Sequence, residues 1–144
     1  METLVEMMRK VLADTFAMYL KAHNYHWNVE GPNFPQYHEF FGNLYEELHG
    51  AVDPIAEEIR ALDAYAPGSF SRFMELTDIQ DELNVPMGRD MAVKLLADNA
   101  IVLSTLNMAF KLANEFDKQG LADFVAGRID VHNKHAWMLR SITK

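Results

Sequence analysis

Apolar positions in this chain recur every three or four residues, the period of an α-helix that buries one face. From Thr3, which reads as an N-cap, Met8, Leu12, Phe16 and Tyr19 step by four, four and three. A second stripe runs through Phe41, Leu44, Leu48, Ile55, Ile59 and Leu62, and a third through Leu95, Asn99, Val102, Leu106, Phe110 and Ala113. A fourth comprises Leu121, Phe124, Val131, His135, Met138 and Ile142. Helix breakers fall between the stripes. Gly31-Pro32 and Pro35 mark a stop and a restart, Pro67-Gly68 closes the second segment, Pro86 precedes the third, and Gly120 marks the last break. Pro54 alone lies inside a helical pattern, where it removes one backbone bond and predicts a kink. Residues 69–85 are more polar and predict a connection with one short helix. No segment alternates with a strand's period of two. The pattern predicts an all-α fold: a four-helix bundle in one domain, residues 1–144, with a short helix in the connection between helices 2 and 3.

Composition narrows the chemistry. Half the chain (49%) is apolar and Gly 7 with Pro 5 is sparse, which suits a packed core and not a disordered or linker-rich chain. Cys 0 excludes disulfides, thiolate metal sites and a cysteine nucleophile, so any metal rests on His, Asp and Glu. The 21 acidic and 13 basic residues leave a net charge of -8, which favours cations over phosphate backbones as ionic partners. No run approaches a membrane span, and Met1-Glu2-Thr3-Leu4-Val5-Glu6 lacks the basic-then-apolar layout of a signal peptide. A cytoplasmic protein is expected.

Two of the histidines, His23 and His26, continue the first helix's stepping from Tyr19. Two imidazoles on an inward stripe need partners. On the second helix, at 100° per residue, His38, Asp53 and Glu57 lie on a flank about 90° from the apolar stripe. Gly42, His49 and Gly50 share that flank. Two glycines inside a helix each cost about 1 kcal/mol relative to alanine, which makes sense if another backbone comes close. The flank is therefore expected to face a partner. Asp53 and Glu57, at i and i+4, can converge on one cation. His38 lies fifteen residues before Asp53, roughly 22 Å along the axis, so a site using all four needs two subunits. A two-fold axis between antiparallel second helices would create two such sites.

His26-Trp27, Gly31-Pro32-Asn33-Phe34, His38 and Asp53-Pro54-Ile55-Ala56-Glu57, with spacings of 12, 15 and 4 between the four candidate ligands, resemble the signature of the Dps family of miniferritins. Lys134-His135-Ala136-Trp137-Met138-Leu139 is similar to that family's last helix. The resemblance implies a ferritin-like bundle, a homo-oligomer closed as a dodecamer, and ferroxidase centres at the dimer interface. There iron passes from Fe(II) to Fe(III), with hydrogen peroxide preferred over dioxygen as oxidant, and the ferric product is stored inside. His26 and His38 would come from one subunit and Asp53 and Glu57 from its partner. Glu57 would bridge two irons, and Asp53 and His26 would anchor the first. His23 would be an accessory ligand or hold a water. Trp27 would either donate an electron to a stray oxidant or pack in the core. Asp117, Asp123 and Asp130 fall where the family lines its pores for cation entry, and Asp123 matches best.

The chain departs from the family at two points. Glu58 stands where the family usually has arginine, removing an interface salt bridge that Arg60 is close enough to replace. The lysine-rich tail with which some members bind DNA has no counterpart before the first helix. Twelve copies of a chain of charge -8 would carry about -96, so weak or absent DNA binding is expected, with protection coming from removal of Fe(II) and peroxide. A structural protein that compacts DNA is opposed by the same charge. A conventional ferritin would hold its di-iron site inside one bundle on two Glu-x-x-His motifs, and this chain has one, Glu46 to His49. A metal-free bundle would make the ligand spacing a coincidence. His132 and His135 have no acidic companion in sequence. They read as a surface and a core histidine, in that order.

Overall fold

The computed structural model describes all residues 1–144 as five helices: α1 (Glu2–Asn28), α2 (Phe34–Ala61), α3 (Phe70–Leu76), α4 (Gly88–Glu115) and α5 (Gln119–Thr143). There are no strands. The four long helices pair as two hairpins, α1 with α2 and α4 with α5, joined through α1 against α4. The bundle and the short helix predicted from the stripes are both present.

One core of 26 buried residues fills the bundle. Met8 and Leu12 of α1, five of the six α2 stripe residues, and Leu95, Asn99, Val102, Leu106 and Ala113 of α4 are buried as predicted. On α1 the buried line turns onto Val11, Met18, Ala22 and Tyr25, while Phe16, Tyr19, His23 and His26 move to the flank, partly exposed. On α5 the buried residues are Leu121, Ala122, Val125, Arg128, His132, Ala136 and Leu139, and most of the predicted stripe is displaced: Met138 is exposed, and Phe124, Val131, His135 and Ile142 are only partly buried. The physical reason is that an apolar face here spans more than 100°, so periodicity alone leaves the facing direction undetermined by a residue.

The breakers act with small shifts. Gly31, at φ 114, turns the chain out of α1, and Pro35 opens α2 in its first turn. The predicted Thr3 cap is inside α1, which starts at Glu2 with Met1 as N-cap. Gly120 lies in the first turn of α5, and the reversal before it is made by Asp117 at φ 55. α2 continues through Pro54 as one helix.

The crossover is tied down by polar contacts to α1. Asp14, fully buried, accepts from Thr77 Oγ1 (2.7 Å) on the crossover and from Thr105 Oγ1 (2.7 Å) on α4. Tyr25 donates to Glu82 (2.7 Å), which also receives Lys94 (2.8 Å). Phe73 of α3 stacks on Phe16 at 4.7 Å. α4 is long and apolar enough to cross a membrane by composition, contrary to the sequence reading, but Met91, Leu95, Val102 and Leu106 of it are buried in the core of the bundle.

Candidate metal centre

The α1–α2 turn brings His26 and His38 face to face. Their rings stack at 3.8 Å between centroids and 17° between planes. His26 Nδ1 lies 2.6 Å from the His38 carbonyl, and His38 Nδ1 lies 2.7 Å from the His26 carbonyl. A carbonyl only accepts, so each Nδ1 carries the proton and donates. Each Nε2 then holds the lone pair that a metal needs, with ring orientation fixed by the second nitrogen. Both rings are partly exposed, on the flank predicted for α2.

Gly42 makes room for this pair. A Cβ there would come to 3.0 Å of His26 Cε1 and Nδ1. The close approach that the glycine implied is thus made by a ring of the same chain. Gly50, by contrast, has nothing within 4 Å. His23 sits beside the pair, its ring centroid 6.0 Å from that of His26. It stacks on Tyr45 (3.7 Å, 7°) and under Trp27 (3.9 Å), and Tyr19 Oη lies 3.0 Å from its Nδ1. Burial, then the neighbouring His26 and His49, lower its pKa. Trp27 is 59% exposed, which removes core packing as its role.

Asp53 and Glu57 are exposed one turn apart on α2. Hydrogen bonding to Asp53, and then its charge, raise the Glu57 pKa. The two carboxylates are therefore close enough to share a proton. No group of three or more His, Asp or Glu side chains within the chain is gathered to hold a metal. The structure brings together His26 and His38, and separately Asp53 and Glu57, but does not join the two pairs.

With this arrangement on an antiparallel four-helix frame, comparison with known proteins is decisive. A ferritin-like domain model matches residues 5–144. The chain is 31% identical to DNA protection during starvation protein 2 of Bacillus anthracis, covering 95% of this chain and 94% of that one. The chain belongs to the Dps family of ferritin-like proteins. It is also 34% identical to a low temperature-induced protein of Nostoc sp. (strain PCC 7120), covering 95% of this chain and 78% of that one. The crystal structure of the Dps protein of Vibrio cholerae O1, described as a member of the ferritin-like diiron-carboxylate proteins, superposes with a TM-score of 0.95 at 27% identity over 99% of this chain and 90% of that one.

Other sequence expectations on this Dps frame fare unevenly. Asp117, Asp123 and Asp130 are exposed, but Asp117 is a left-handed turn residue and Asp130 pairs with Lys134 at 3.4 Å. Arg60 donates to the Ala64 carbonyl (3.0 Å) and lies over the Tyr65 ring (5.0 Å), so it serves its own turn in this chain. The assignment of the two α5 histidines is reversed: His132 is fully buried and His135 only partly. Nor do they lack an acid, because Glu47 of α2 reaches His135 Nε2 at 2.7 Å. Sequence reading missed this cross-bundle network. Its one signal was Asn99, an amide on an apolar stripe, which holds His132 from both ends.

Proposed function

We propose that two subunits complete each centre, with His26 and His38 of one facing Asp53 and Glu57 of the other, and that Fe(II) is its substrate. The observation that carries this reading is the reciprocal His26–His38 lock, which presents two oriented Nε2 lone pairs while the chain's own carboxylate pair stands far along α2. Imidazole with carboxylate makes a site that holds Fe(II) and also accepts the higher charge of Fe(III). In the oxidation, two Fe(II) give one electron each to hydrogen peroxide. Its O–O bond breaks, two protons are taken up, and two waters leave. Asp53 and His26 anchor one iron, Glu57 spans the pair, and His23 holds a water or a second ligand position. Dioxygen is the slower oxidant.

The product is stored as ferric iron within a closed homo-oligomer, a cytoplasmic dodecamer entered by cations past Asp123. The whole chain acts as one domain. Protection of DNA follows from removing Fe(II) and peroxide together. Direct DNA binding is weak or absent, given a charge of -8 on every chain. Relatives with Dps names and the diiron-carboxylate description of a structural neighbour support this reading.

The experiment is anaerobic Fe(II) oxidation by stoichiometric peroxide, with His38→Ala alongside the parent chain. Fast oxidation that falls to the buffer rate in the variant is the expected result. Equal rates for the two proteins would remove the centre from these residues.

A further inference from the structure

Glu47, His132 and His135 form a polar cluster inside the bundle, between α2, α4 and α5 and away from the flank, and as the native chain holds them they are not gathered around a metal. His132 is fully buried. Its Nδ1 lies 2.7 Å from Asn99 Oδ1, and Asn99 Nδ2 donates to the His132 carbonyl at 2.9 Å. Because the amide nitrogen must face that carbonyl, Oδ1 accepts from Nδ1, and His132 Nε2 is left with its lone pair. This is the outer-shell arrangement that orients a metal-binding imidazole. Across the gap, Glu47 Oε1 is 2.7 Å from His135 Nε2.

What occupies the centre of this set is a cation from the chain itself. Arg128 Nη2 lies 3.1 Å from both Glu47 Oε1 and His132 Nε2, and Nη1 lies 2.5 Å from Glu47 Oε2. Arg128 is 8% exposed, and its Nε is buried without a hydrogen-bond partner. A buried guanidinium left incompletely satisfied is a poor choice for stability, since apolar residues of similar volume commonly do as well or better. It needs another reason.

We propose that Arg128 is an internal cation that keeps divalent metal out of an intrabundle site formed by Glu47, His132 and His135. The guanidinium satisfies the carboxylate and the His132 lone pair, so an entering ion finds neither donor available. With the guanidinium gone, an uncompensated carboxylate and an oriented imidazole remain. A metal then draws His132 Nε2, a Glu47 oxygen and His135 Nε2 together, and His135 binds as its other neutral tautomer, its Nε2 proton passing to solvent while Nδ1 takes one up. In the native chain, Arg128 thereby confines metal to the flank. The confinement to the flank rests on the proposed flank centre, whereas the opening of an intrabundle site on loss of Arg128 does not.

The test is Co(II) titration of the assembled protein, followed by visible absorption and metal count. His38→Ala silences the flank, and Arg128→Ala is then added. The expected result is one further Co(II) per chain with the strong visible bands of a four-coordinate ion, lost when His132→Ala is also introduced. Arg128→Met, which keeps volume without charge, serves as a second variant. No additional ion in a folded variant, or uptake that survives His132→Ala, overturns the proposal. The native chain supplies an arm that needs no folding of a variant. With nitrogen-15 labelled histidine, Co(II) at flank saturation leaves the His132 ring signals in place, and their displacement would equally overturn it.

Discussion

At the scale of single residues, the structure couples burial to protonation. Burial, then the charges of Arg128 and His135, push the His132 pKa down to about 3 from 6.5. Below about pH 6.5 the unfolded chain therefore binds a proton that the folded chain refuses. Stability is full above that value and falls as pH drops toward 3. Burial raises the Glu47 carboxyl, but hydrogen bonds from His135 and Arg128 outweigh it and hold the group at about 2 against 4.5, adding a second loss below about pH 4.5. Each unit of difference is worth ~1.4 kcal/mol. Thermal melting should show Tm falling from pH 6.5 to 4.5 in the parent chain, with a shallower fall in His132→Gln. A parent Tm flat across that window would exclude a buried neutral His132. Gly42 acts through sterics instead. Its replacement by alanine crowds a His26 ring that its bond to the His38 carbonyl and its stacking on His38 both hold in place. Gly42→Ala should slow Fe(II) oxidation at least ~10-fold and fail to gain the ~1 kcal/mol that alanine normally adds in a helix. Gly127→Ala on α5, with nothing within 4 Å, should gain it and keep the oxidation rate. Unfolding midpoints and initial rates measured side by side decide between the two.

Among the elements, the helix ends explain how 28-residue helices stop where they do. α2 closes with Ala64 N–H on the Ile59 carbonyl and Asp63 N–H on the Arg60 carbonyl, and α4 with Lys118 on Ala113 and Asp117 on Asn114. Both are the crossed bonds of a Schellman cap, with aspartate at the left-handed position that glycine usually fills. Asp117→Gly should raise stability by ~0.5–1 kcal/mol, read from denaturant midpoints at unchanged slope. A loss would mean that the side chain contributes contacts at that turn. The first hairpin and the start of the crossover were legible in the sequence because Gly31-Pro32 and Pro67-Gly68 interrupt strong periodicity. The last break was misplaced by a few residues, because the residue that turns is an aspartate and carries no breaker signal. The direction of α5 was misread for a related reason. Arg128 and His132 point inward because Glu47 and Asn99 receive them, and those partners lie on other helices, where the periodicity of α5 does not report them.

For the whole molecule, the decisive question is whether a centre belongs to one chain or two. A protein lacking both histidines (His26→Ala with His38→Ala) and another lacking both carboxylates (Asp53→Ala with Glu57→Ala) should each be inactive. Dissociated, mixed in equal amounts and reassembled, half of the two-fold pairs are mixed, and each mixed pair has one intact centre. Oxidation should then recover to about a quarter of the parent rate, by the symmetry of two sites per pair. No recovery, in oligomers shown to be mixed, would place the centre within single chains. Gly50, open to a distance of 4 Å, and the exposed Asp53–Glu57 turn lie on the face that this exchange tests.

The sequence by itself determined the helical class, the order of the four long helices, the short helix in the crossover and the family to which the chain belongs. These depend on local periodicity, on breakers and on a motif whose spacing is written along the chain. It also placed the histidine pair and the carboxylate pair on a flank, because helix geometry converts spacing into angle and rise. Only the tertiary structure decided which nitrogen of His26 and His38 is offered, why residue 42 is glycine, and that His132 rather than His135 is buried. Those outcomes depend on residues 12, 16 and 33 positions apart in the chain (His26 with His38, His26 with Gly42, Asn99 with His132) meeting within about 3 Å. Hydrogen bonds and close contacts are decided at that range, and no period along the chain reports them.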